Sequence, residues 1–564
     1  MGVTVRQAAT DDIPSLTRGT DQDHTQDMKM SLHHNTVSAL TRHGPRAYRY
    51  AIGMAIVIAL AGCTTPPKPP TERIAVFTPP PSPDSALTQT AFHADQNGQS
   101  GFLLMDRGWS SLACRCALAD QARQSLNVQY FAWYADAPGL LLADHLLAAA
   151  ERGVYVRLLL DDLSLKVGTR LLARLDAHTN IEVRTYNPVR GDYEKVIQRN
   201  LQVAKDFTHM QRRMHNKLFL ADASMGLVGG RNIGDKYFDL SSHHNYRDRD
   251  VLAIGPVATN LAATFDVYWN SAWVLDLEDT VSYRPDAREM EETIAALPGR
   301  MAEATRKLRL GDDLAAMVAL LTNAWTDAHR GTAEIIVDEP GKNEDTQSLT
   351  AFGTTSQRLT ELALSTKKEL IIQTPYAVLM PGTFDLLNAL HQKGVKVRIL
   401  TNSKLSSLNP FAVTAYARQR PAMLQAQVEL FELRPDGQVF KSTVSSRAED
   451  SPEVPASLHA KGGIFDDEHV YIGSFNLDPR STHLNTELGL YIHSPTLNRE
   501  LRRIMEEECQ PQNSWQVVMG DDGQLQWISW EDGQVIRLDE EPGIGIMKST
   551  MLFLLSLLPL DPLL

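Results

Sequence analysis

The sequence is poor in cysteine and in net positive charge. Four cysteines among 564 residues are too few for a disulfide framework. Cys114 and Cys116 stand close together, but no second pair follows at the spacing of zinc ligands, so a cysteine metal site is not expected. The net charge of -13 argues against general nucleic-acid binding, because phosphate backbones are bound by dense lysine and arginine.

The N-terminal region also lacks an apolar run long enough to cross a bilayer. Arginines precede an apolar run over residues 51–61, which is shorter than the roughly 20 residues of a spanning helix and is typical of a signal peptide. The run ends in "LAGC", which resembles the lipobox of bacterial lipoproteins, and this resemblance implies that Cys63 is lipidated. Residues 1–27 fit a signal poorly, so a translation start at Met28 or Met30 is a further hypothesis.

What the sequence does contain is a long internal repeat. "SLNVQYFAWY" and "LLAAAERGVYVRLLLDD" in the first half correspond to "ELIIQTPYAVL" and "LLNALHQKGVKVRILTNS" in the second. Gln129 and Gln373 are 244 residues apart, and the helix-ending glycines Gly153 and Gly394 are 241 apart. Strand, helix and strand in each copy predict an α/β fold of two duplicated units, which form a pseudo-twofold bilobed body with one shared active site.

The composition along the chain predicts six segments. A Pro-rich stretch follows Cys63, and an amphipathic helical region separates the two repeats. The predicted segments are an extension with a signal peptide (1–63), a tether (64–95), a first α/β domain (96–280), a helical connector (281–345), a second α/β domain (346–505) and a C-terminal segment with an apolar tail (506–564).

Each repeat carries the same polar motif, H-x-K followed by four residues and D. The two copies are 244 residues apart and consist of His215, Lys217 and Asp222, and of His459, Lys461 and Asp466. Because side chains two apart share one face of a strand, each histidine and lysine is predicted to project into one site. The two acids fall outside that face. They belong to the candidate catalytic set by motif, but a structural role bonding the backbone or a turn is favoured.

Two imidazoles and two ammonium groups in one cavity suit a phosphodiester, since lysines offset the charge that develops on phosphoryl oxygens. Further hydrogen bonds to the phosphate are predicted from "GGRN" and "GSFN" side chains, namely Asn232, Ser474 and Asn476. The cationic side chains take the place of a metal, so no metal or cofactor is predicted.

A nucleophilic histidine needs its other ring nitrogen held by an acceptor. Asp248 and Glu487 each stand eight residues before a proline in corresponding segments, and we predict that they orient the two histidines. Asp250 is an alternative to Asp248.

The double motif matches that of the phospholipase D superfamily without a substitution. "SLHAK" and "GSFNLDPRSTHLNTELGLYI" resemble most closely the bacterial cardiolipin synthase branch. The resemblance implies two phospholipase D-like α/β sandwich units and transfer of a phosphatidyl group through a covalent phosphohistidine, by which cardiolipin is formed and some lipid hydrolysed. It also implies that His215 is the nucleophile and His459 the general acid and base. The expected substrates are phospholipids, namely phosphatidylglycerol and also phosphatidylethanolamine.

Two alternatives remain open from the sequence. One is a phosphodiesterase or nuclease with the same active site, which the net charge and the lipobox disfavour. The other is a non-catalytic, lipid-binding envelope lipoprotein, which the intact motifs disfavour. The favoured location is the bacterial envelope, facing the periplasm, with contact to either membrane through Cys63. The apolar run Met551–Leu560 suits either interfacial contact or packing on the core.

Overall fold

The computed structural model describes residues 73–92, 97–162, 165–166, 168–188, 207–344, 351–407, 409–443 and 454–543. The signal region, Cys63 and the tail Met551–Leu560 lie outside these residues. All described residues belong to one compact unit, Thr65–Leu564. Within the described part of the chain, no helix has the length and apolarity needed to cross a membrane. The six segment boundaries drawn from composition stay a prediction.

The first repeat alternates strands and helices as its sequence predicts. Its strands are β1 (Ser100–Met105), β2 (Ser125–Tyr130), β3 (Trp133–Tyr134), β4 (Tyr155–Asp161), β5 (Leu165–Lys166), β6 (Ile181–Tyr186), β7 (Leu218–Ala221), β8 (Met225–Gly229), β9 (Asn245–Arg247), β10 (Asp250–Ile254) and β11 (Val274–Asp276). Its helices are α1 (Ala86–Ala91), α2 (Gly108–Gln121), α3 (Ala137–Glu151), α4 (Thr169–Asp176), α5 (Phe207–Met210) and α6 (Pro256–Trp269).

A helical connector and one strand follow, then the second repeat. The connector consists of α7 (Ala287–Ala295), α8 (Leu297–Lys307), α9 (Gly311–Thr322), α10 (Ala324–Asp327) and β12 (His329–Val337). The second repeat contains strands β13 (Glu369–Gln373), β14 (Lys396–Asn402), β15 (Val428–Leu433), β16 (Ala456–Leu458), β17 (Gly462–Phe465), β18 (His469–Gly473), β19 (Leu488–His493), β20 (Ser514–Met519), β21 (Leu525–Glu531) and β22 (Gln534–Leu538). Its helices are α11 (Thr354–Ser365), α12 (Pro381–Gln392), α13 (Pro410–Gln425), α14 (Gln438–Thr443), α15 (Pro479–His483) and α16 (Pro495–Glu508).

The helices begin and end for local reasons that recur in both repeats. The side chain of Asp136 accepts the backbone N–H of Gly139 at the start of α3, where free N–H groups need acceptors. After α3 and α12 the chain turns at Gly153 and Gly394, with φ of 94° and 77°, a conformation that glycine adopts without strain. The sequence prediction that both helices close at these glycines is confirmed.

The two repeats build sheets of the same strand order. The first runs β6-β4-β2-β7-β8-β10-β1 and the second β15-β14-β13-β17-β18-β19-β12, with three parallel strands at one side of each. Helices cover both faces of each sheet, and one buried core combines inner-face residues of both repeats, among them Leu220, Ile371 and Ile464. The predicted α/β class and duplication are confirmed.

Strand β12 joins the two sheets. Its first residues, 329–331, pair with β1, and 332–337 pair with β19. The connector helices pack on the first repeat, where Arg300 forms an ion pair with Asp144 at 2.7 Å. The two repeats therefore share both a core and a sheet edge.

Candidate active site

Both H-x-K segments lie directly before a strand, not inside one as predicted. The residues of the first precede β7 and those of the second precede β17. Their backbone bonds the opposite repeat: the N–H of His215 donates to the carbonyl of Thr486 at 2.9 Å, and that of His459 to Arg247 at 2.8 Å. At these residues each segment bonds the opposite repeat and not a strand of its own sheet. This pairing brings the two H-x-K motifs together.

Each histidine bonds the acid of the other repeat. Nδ1 of His215 lies 2.8 Å from Glu487 Oε2, and Nδ1 of His459 lies 2.5 Å from Asp248 Oδ2. The backbone pairing explains the crossing, because Thr486 and Arg247 each directly precede the acid in question. Nε2 of each ring is left to face the site.

The alternative acid, Asp250, serves another purpose. Its carboxylate accepts hydrogen bonds from Ser111 at 2.6 Å and from Arg115 at 3.0 Å, and it lies 3.4 Å from Arg231. All of these groups are buried in the first repeat. The structure therefore separates the two candidates: Asp248 contacts a motif histidine and Asp250 holds buried arginines.

The two lysines are buried beside the histidines. Nζ of Lys217 donates to the carbonyl of His215 at 2.5 Å, and Nζ of Lys461 lies 3.2 Å from Nε2 of His459. Burial lowers the pKa of Lys217 to about 7 and that of Lys461 to about 8. Repulsion by the ammonium group of Lys461 also contributes to the lowered pKa of Lys217. A bound anion would relieve both effects.

Both imidazoles are neutral when the site holds no anion. Burial lowers the pKa of His215 well below its ordinary value, with further lowering by Lys217 and Lys461. Burial also lowers the pKa of His459 to about 3, with Lys461 as the second cause. A neutral imidazole has the free lone pair that nucleophilic attack requires.

The two orienting acids differ in their ionisation. Burial raises the pKa of Glu487 to about 7, although Lys217 and two serine hydroxyls oppose the rise. Burial also favours a raised pKa for Asp248, but the neighbouring His459 and Lys461 outweigh this effect and hold its pKa well below the usual range. Asp248 is thus the carboxylate that stays ionised at neutral pH.

The three predicted phosphate-binding residues are not equivalent. The hydroxyl of Ser474 donates to Glu487 at 2.5 Å and accepts the N–H of Leu488, so it is committed behind His215 and does not face the site freely. The amide of Asn232 likewise accepts from the N–H of Ala132 and donates to the hydroxyl of Tyr237. By contrast, the buried Oδ1 of Asn476 has no hydrogen-bond partner among the residues that the structure describes.

The motif acids Asp222 and Asp466 lie in turns away from the histidines. Asp222 accepts the backbone N–H groups of residues 123–125 and the hydroxyl of Ser85. Asp466 accepts the equivalent N–H groups of residues 367–369. Their hydrogen bonds hold the start of β2 and β13, so the geometry gives them a structural contact and no contact with a reacting group.

Several aromatic rings that sequence reasoning did not name line the histidines. The ring of Phe131 meets His215 edge-on at 5.0 Å, and the rings of Tyr237 and Tyr246 lie 5.2 and 5.0 Å from His459. Tyr246 stands two residues before Asp248, so strand alternation could have placed it on the same face. Phe131 lies directly after β2 and Tyr237 in a short 3-10 helix, Asp235–Tyr237, and neither position left such a signal.

Among the residues that the structure describes, no group of three or more His, Cys, Asp or Glu side chains could hold a metal ion. The family model described as "Cardiolipin synthase, PLD-like domain" matches residues 116–269 and 359–509, one stretch in each repeat. The chain belongs to this family. It is an enzyme of the phospholipase D type, in the cardiolipin synthase branch.

The chain is also similar to individual proteins. Cardiolipin synthase C of Escherichia coli (strain K12) is 36% identical over 471 residues, which cover 83% of this chain and 97% of that protein. A protein of Helicobacter pylori (strain ATCC 700392 / 26695) is 29% identical, covering 78% of this chain and 85% of its own length. Among solved structures, phosphatidylserine synthase of Haemophilus influenzae matches at a TM-score of 0.47 and 15% identity, covering 74% of this chain and 86% of that one.

Proposed function

We propose that this enzyme transfers a phosphatidyl group from one phospholipid to a hydroxyl of another, and that its main product is cardiolipin made from phosphatidylglycerol. The observation that carries the proposal is the buried pair of neutral histidines, each held by an acid of the opposite repeat and flanked by a lysine. The similarity to cardiolipin synthase C supports the choice of substrate. Transfer to water would give phosphatidic acid as a side product.

In the first step Nε2 of His215 attacks the phosphorus, and the bond from phosphorus to the headgroup oxygen breaks. His459 gives its Nε2 proton to that oxygen, so free glycerol leaves when phosphatidylglycerol is the donor. The negative phosphodiester raises the pKa of the neighbouring imidazoles, so His459 takes up this proton as the substrate binds. Lys217 and Lys461 stabilise the charge on the phosphoryl oxygens.

In the second step the acceptor hydroxyl gives its proton to Nε2 of His459 and attacks the phosphohistidine. The new P–O bond forms as the bond from phosphorus to His215 breaks, and both histidines return to their starting state. We assign to Oδ1 of Asn476, which is buried without a partner among the described residues, the hydrogen bond from the acceptor lipid.

The unequal acids support this division of labour. An ionised Asp248 stabilises an imidazolium at His459, the residue that must carry a proton between the steps. Glu487, with its pKa near 7, accepts the Nδ1–H of His215 and carries less negative charge than Asp248, which suits a histidine that must begin neutral. Serine hydroxyls fix both oxygens of Glu487.

The direct test is incubation of the purified enzyme with phosphatidylglycerol, alone and together with phosphatidylethanolamine, followed by separation of the lipids. Cardiolipin with release of glycerol is expected. Phosphatidic acid as the sole product would make the enzyme a hydrolase, and unchanged lipids beside a cleaved deoxyoligonucleotide would replace the proposal with the nuclease alternative.

The roles of the histidines are tested with a donor whose leaving group needs no proton, phosphatidyl-p-nitrophenol. His459→Ala should release about one equivalent of p-nitrophenolate per enzyme and then stall, because deprotonation of the acceptor is lost. Mass spectrometry under alkaline conditions should locate the phosphatidyl group on His215. A burst from His215→Ala, with the label on His459, would reverse the assignment.

We further propose that Cys63 carries a lipid anchor in the bacterial envelope. Its support is the sequence alone: basic residues, a short apolar run, "LAGC" and a Pro-rich tether that would hold the catalytic unit near the surface on which its substrates lie.

A further inference from the structure

A cavity of about 490 Å³ lies in the second repeat, between the sheet and the helices α11 and α12. Its floor is formed by β13 and β17, and its walls by side chains that are mostly aliphatic or aromatic, such as Leu359, Leu386 and Phe475. This volume falls within the roughly 300–1,000 Å³ of small-molecule sites. An apolar chamber of this size, if unfilled, forfeits the contacts that a close-packed interior normally makes.

One end of the cavity borders the catalytic residues. Gly462 in its floor follows Lys461 directly, Leu477 follows Asn476, and Thr482 follows Ser481, whose hydroxyl bonds Glu487. The other side opens between exposed residues of the two helices, Gln357 and Glu361 on α11 and Gly382 on α12. The cavity therefore extends from chain segments that carry catalytic residues to the protein surface, and most of its lining is apolar.

The first repeat shows why this space is open. Val128 pairs with Phe219 across β2 and β7, and at the same register Ile372 pairs with Gly463 across β13 and β17. Phe219 is completely buried in the core under helices α2 and α3. Gly463 at the matching position carries no side chain, so the volume that Phe219 fills in the first repeat is left to the ring of Phe465 and to the cavity.

The neighbouring positions of β7 and β17 also differ in side-chain size. Leu218, next to Phe219, corresponds to a second glycine, Gly462. The aromatic ring of the second repeat stands two residues further on, at Phe465, where the first repeat has Ala221. The aromatic volume has thus moved away from the catalytic end of the strand.

The wall formed by the helices also differs in charge. In the first repeat Arg115 of α2 is buried and donates hydrogen bonds to Tyr130 and Asp250. The residue 244 positions later is Leu359, which lines the cavity. The second repeat therefore replaces a buried ion pair with an apolar wall.

We propose that this cavity binds one fatty acyl chain of a phospholipid substrate whose phosphate lies at the histidines. An acyl chain is apolar along its length and gains free energy with each buried methylene, which matches the walls. Its polar end must remain at the end of the cavity lined by Gly462 and Leu477, which directly follow Lys461 and Asn476 in the chain. The assignment of the phosphate to the histidines rests on the proposed function.

The test fills the chamber by giving the second repeat the residues of the first. A Cβ at Gly463 would lie 3.0 Å from the ring of Phe465, so Gly463→Phe is combined with Phe465→Ala, which removes that ring. Phosphatidyl transfer between lipids with 16-carbon chains should fall at least about tenfold, the equivalent of losing roughly two buried methylene groups. Transfer between dihexanoyl lipids should change less than about twofold, because short chains need little of the chamber.

Reactions that combine one long-chain lipid with one dihexanoyl lipid identify whether the donor or the acceptor uses the cavity. Loss confined to reactions with a long-chain donor assigns the chamber to the donor, and loss confined to a long-chain acceptor assigns it to the acceptor. Val535→Phe is the control, because it adds an aromatic ring at an exposed position of β22. It should leave the transfer rate unchanged for all four combinations of long-chain or dihexanoyl donor and acceptor. An equal loss with every chain length, in a variant whose melting temperature matches the parent, would overturn the proposal.

Occupancy is measured separately from turnover. His215→Ala is irradiated with phosphatidylglycerol that carries a diazirine within one acyl chain, and peptides are mapped. Label on α11, α12 or β17 is expected, and the Gly463→Phe, Phe465→Ala pair should abolish it. Label on these elements, without any phosphatidyl transfer by the parent enzyme, would support acyl-chain binding in the cavity and refute the proposed function. Phosphatidyl transfer with label only on other elements would support the proposed function and refute acyl-chain binding in the cavity.

Discussion

Asp248 and Glu487 occupy matching positions in the two repeats, yet their carboxylates have different neighbours. Oδ1 of Asp248 accepts the backbone N–H of Arg249, and its other oxygen accepts from His459. Glu487 accepts from His215 and from two serine hydroxyls. The pKa of Asp248 is low and that of Glu487 is raised, so a symmetric motif produces an asymmetric site.

This asymmetry predicts opposite effects of two amide substitutions on stability. The folded pKa of Asp248 lies below its ordinary 3.8, so its carboxylate stabilises the fold above that pH, and Asp248→Asn should lower the free energy of unfolding at pH 7. The pKa of Glu487 rises from 4.5 to about 7, so the folded protein loses stability as pH rises between these values. Glu487→Gln should remove up to about 3 kcal/mol of that loss.

Urea unfolding at pH 5 and pH 8 measures both effects. For Glu487→Gln, the difference in unfolding free energy between the two pH values should shift toward greater stability at pH 8 relative to the parent. An Asp248→Asn variant as stable as the parent at pH 7 would contradict the ionised state assigned to Asp248.

The residue level was also the most predictable from sequence. The two H-x-K pairs and both orienting acids follow from the spacing of the motifs, and the structure brings them together. The commitment of Ser474 to Glu487 could not be foreseen, because it depends on which face of the hairpin β18–β19 the acid occupies. The open cavity did leave a signal, since "KLFLA" aligns with "KGGIF" in the two repeats.

At the scale of elements, the turns that follow β7 and β17 are built alike. Asp222 and Asp466 each adopt φ of 51° and accept three successive backbone N–H groups at the start of a neighbouring strand. The first is fully buried and accepts a further bond from Ser85, whereas the amides at residues 367 and 368 are exposed. Water can replace the lost partner at residues 367 and 368, whereas the hydroxyl of Ser85 and the N–H of Ser125 in the first turn are buried donors that water does not reach.

Substituting alanine in each turn should therefore give unequal losses of stability. Asp222→Ala leaves buried donors without partners and should cost about 3 kcal/mol or more, while Asp466→Ala should cost about 1 kcal/mol. The strain that alanine meets at positive φ is common to both variants, so the difference reports burial. Chemical denaturation measures it, with Asp467→Ala, whose ion pair with Lys368 is exposed, as a control expected to change stability by less than about 0.5 kcal/mol. Equal losses would refute the argument from burial.

The elements themselves follow from periodicity and helix-ending glycines, but their pairing across repeats does not. Segments 214–215 and 456–459 bond the opposite repeat and so assign each histidine to the distant acid. Spacing along the chain is the same for crossed and uncrossed pairs. Only the packing of one sheet against the other decides between them.

For the whole molecule, the site exists only when both repeats are assembled, and its lipid substrates lie in a membrane. The described unit has no spanning helix, and the predicted link to the bilayer is Cys63. The cysteines that the structure describes, Cys114, Cys116 and Cys509, are all buried.

Labelling cells with radioactive palmitate should therefore mark the parent protein and not Cys63→Ser. The variant should move from the membrane to the soluble fraction, because the covalent lipid supplies the apolar area that holds the protein there. Its transfer activity on detergent-dispersed lipids should stay within about twofold of the parent, since catalysis uses a separate part of the chain. Cys509→Ser is the control and should keep the label; label retained by Cys63→Ser would exclude this anchor.

Strand β12, which pairs with β1 through its first residues and with β19 through the rest, has a consequence for amide exchange. The backbone N–H groups of its second part, near Ile336, lie in the segment that pairs with β19, and they can reach solvent deuterium only when this edge of the second sheet opens. Their exchange should be among the slowest in the protein and should track global unfolding, whereas amides of the peripheral hairpin β21–β22 should exchange through local opening.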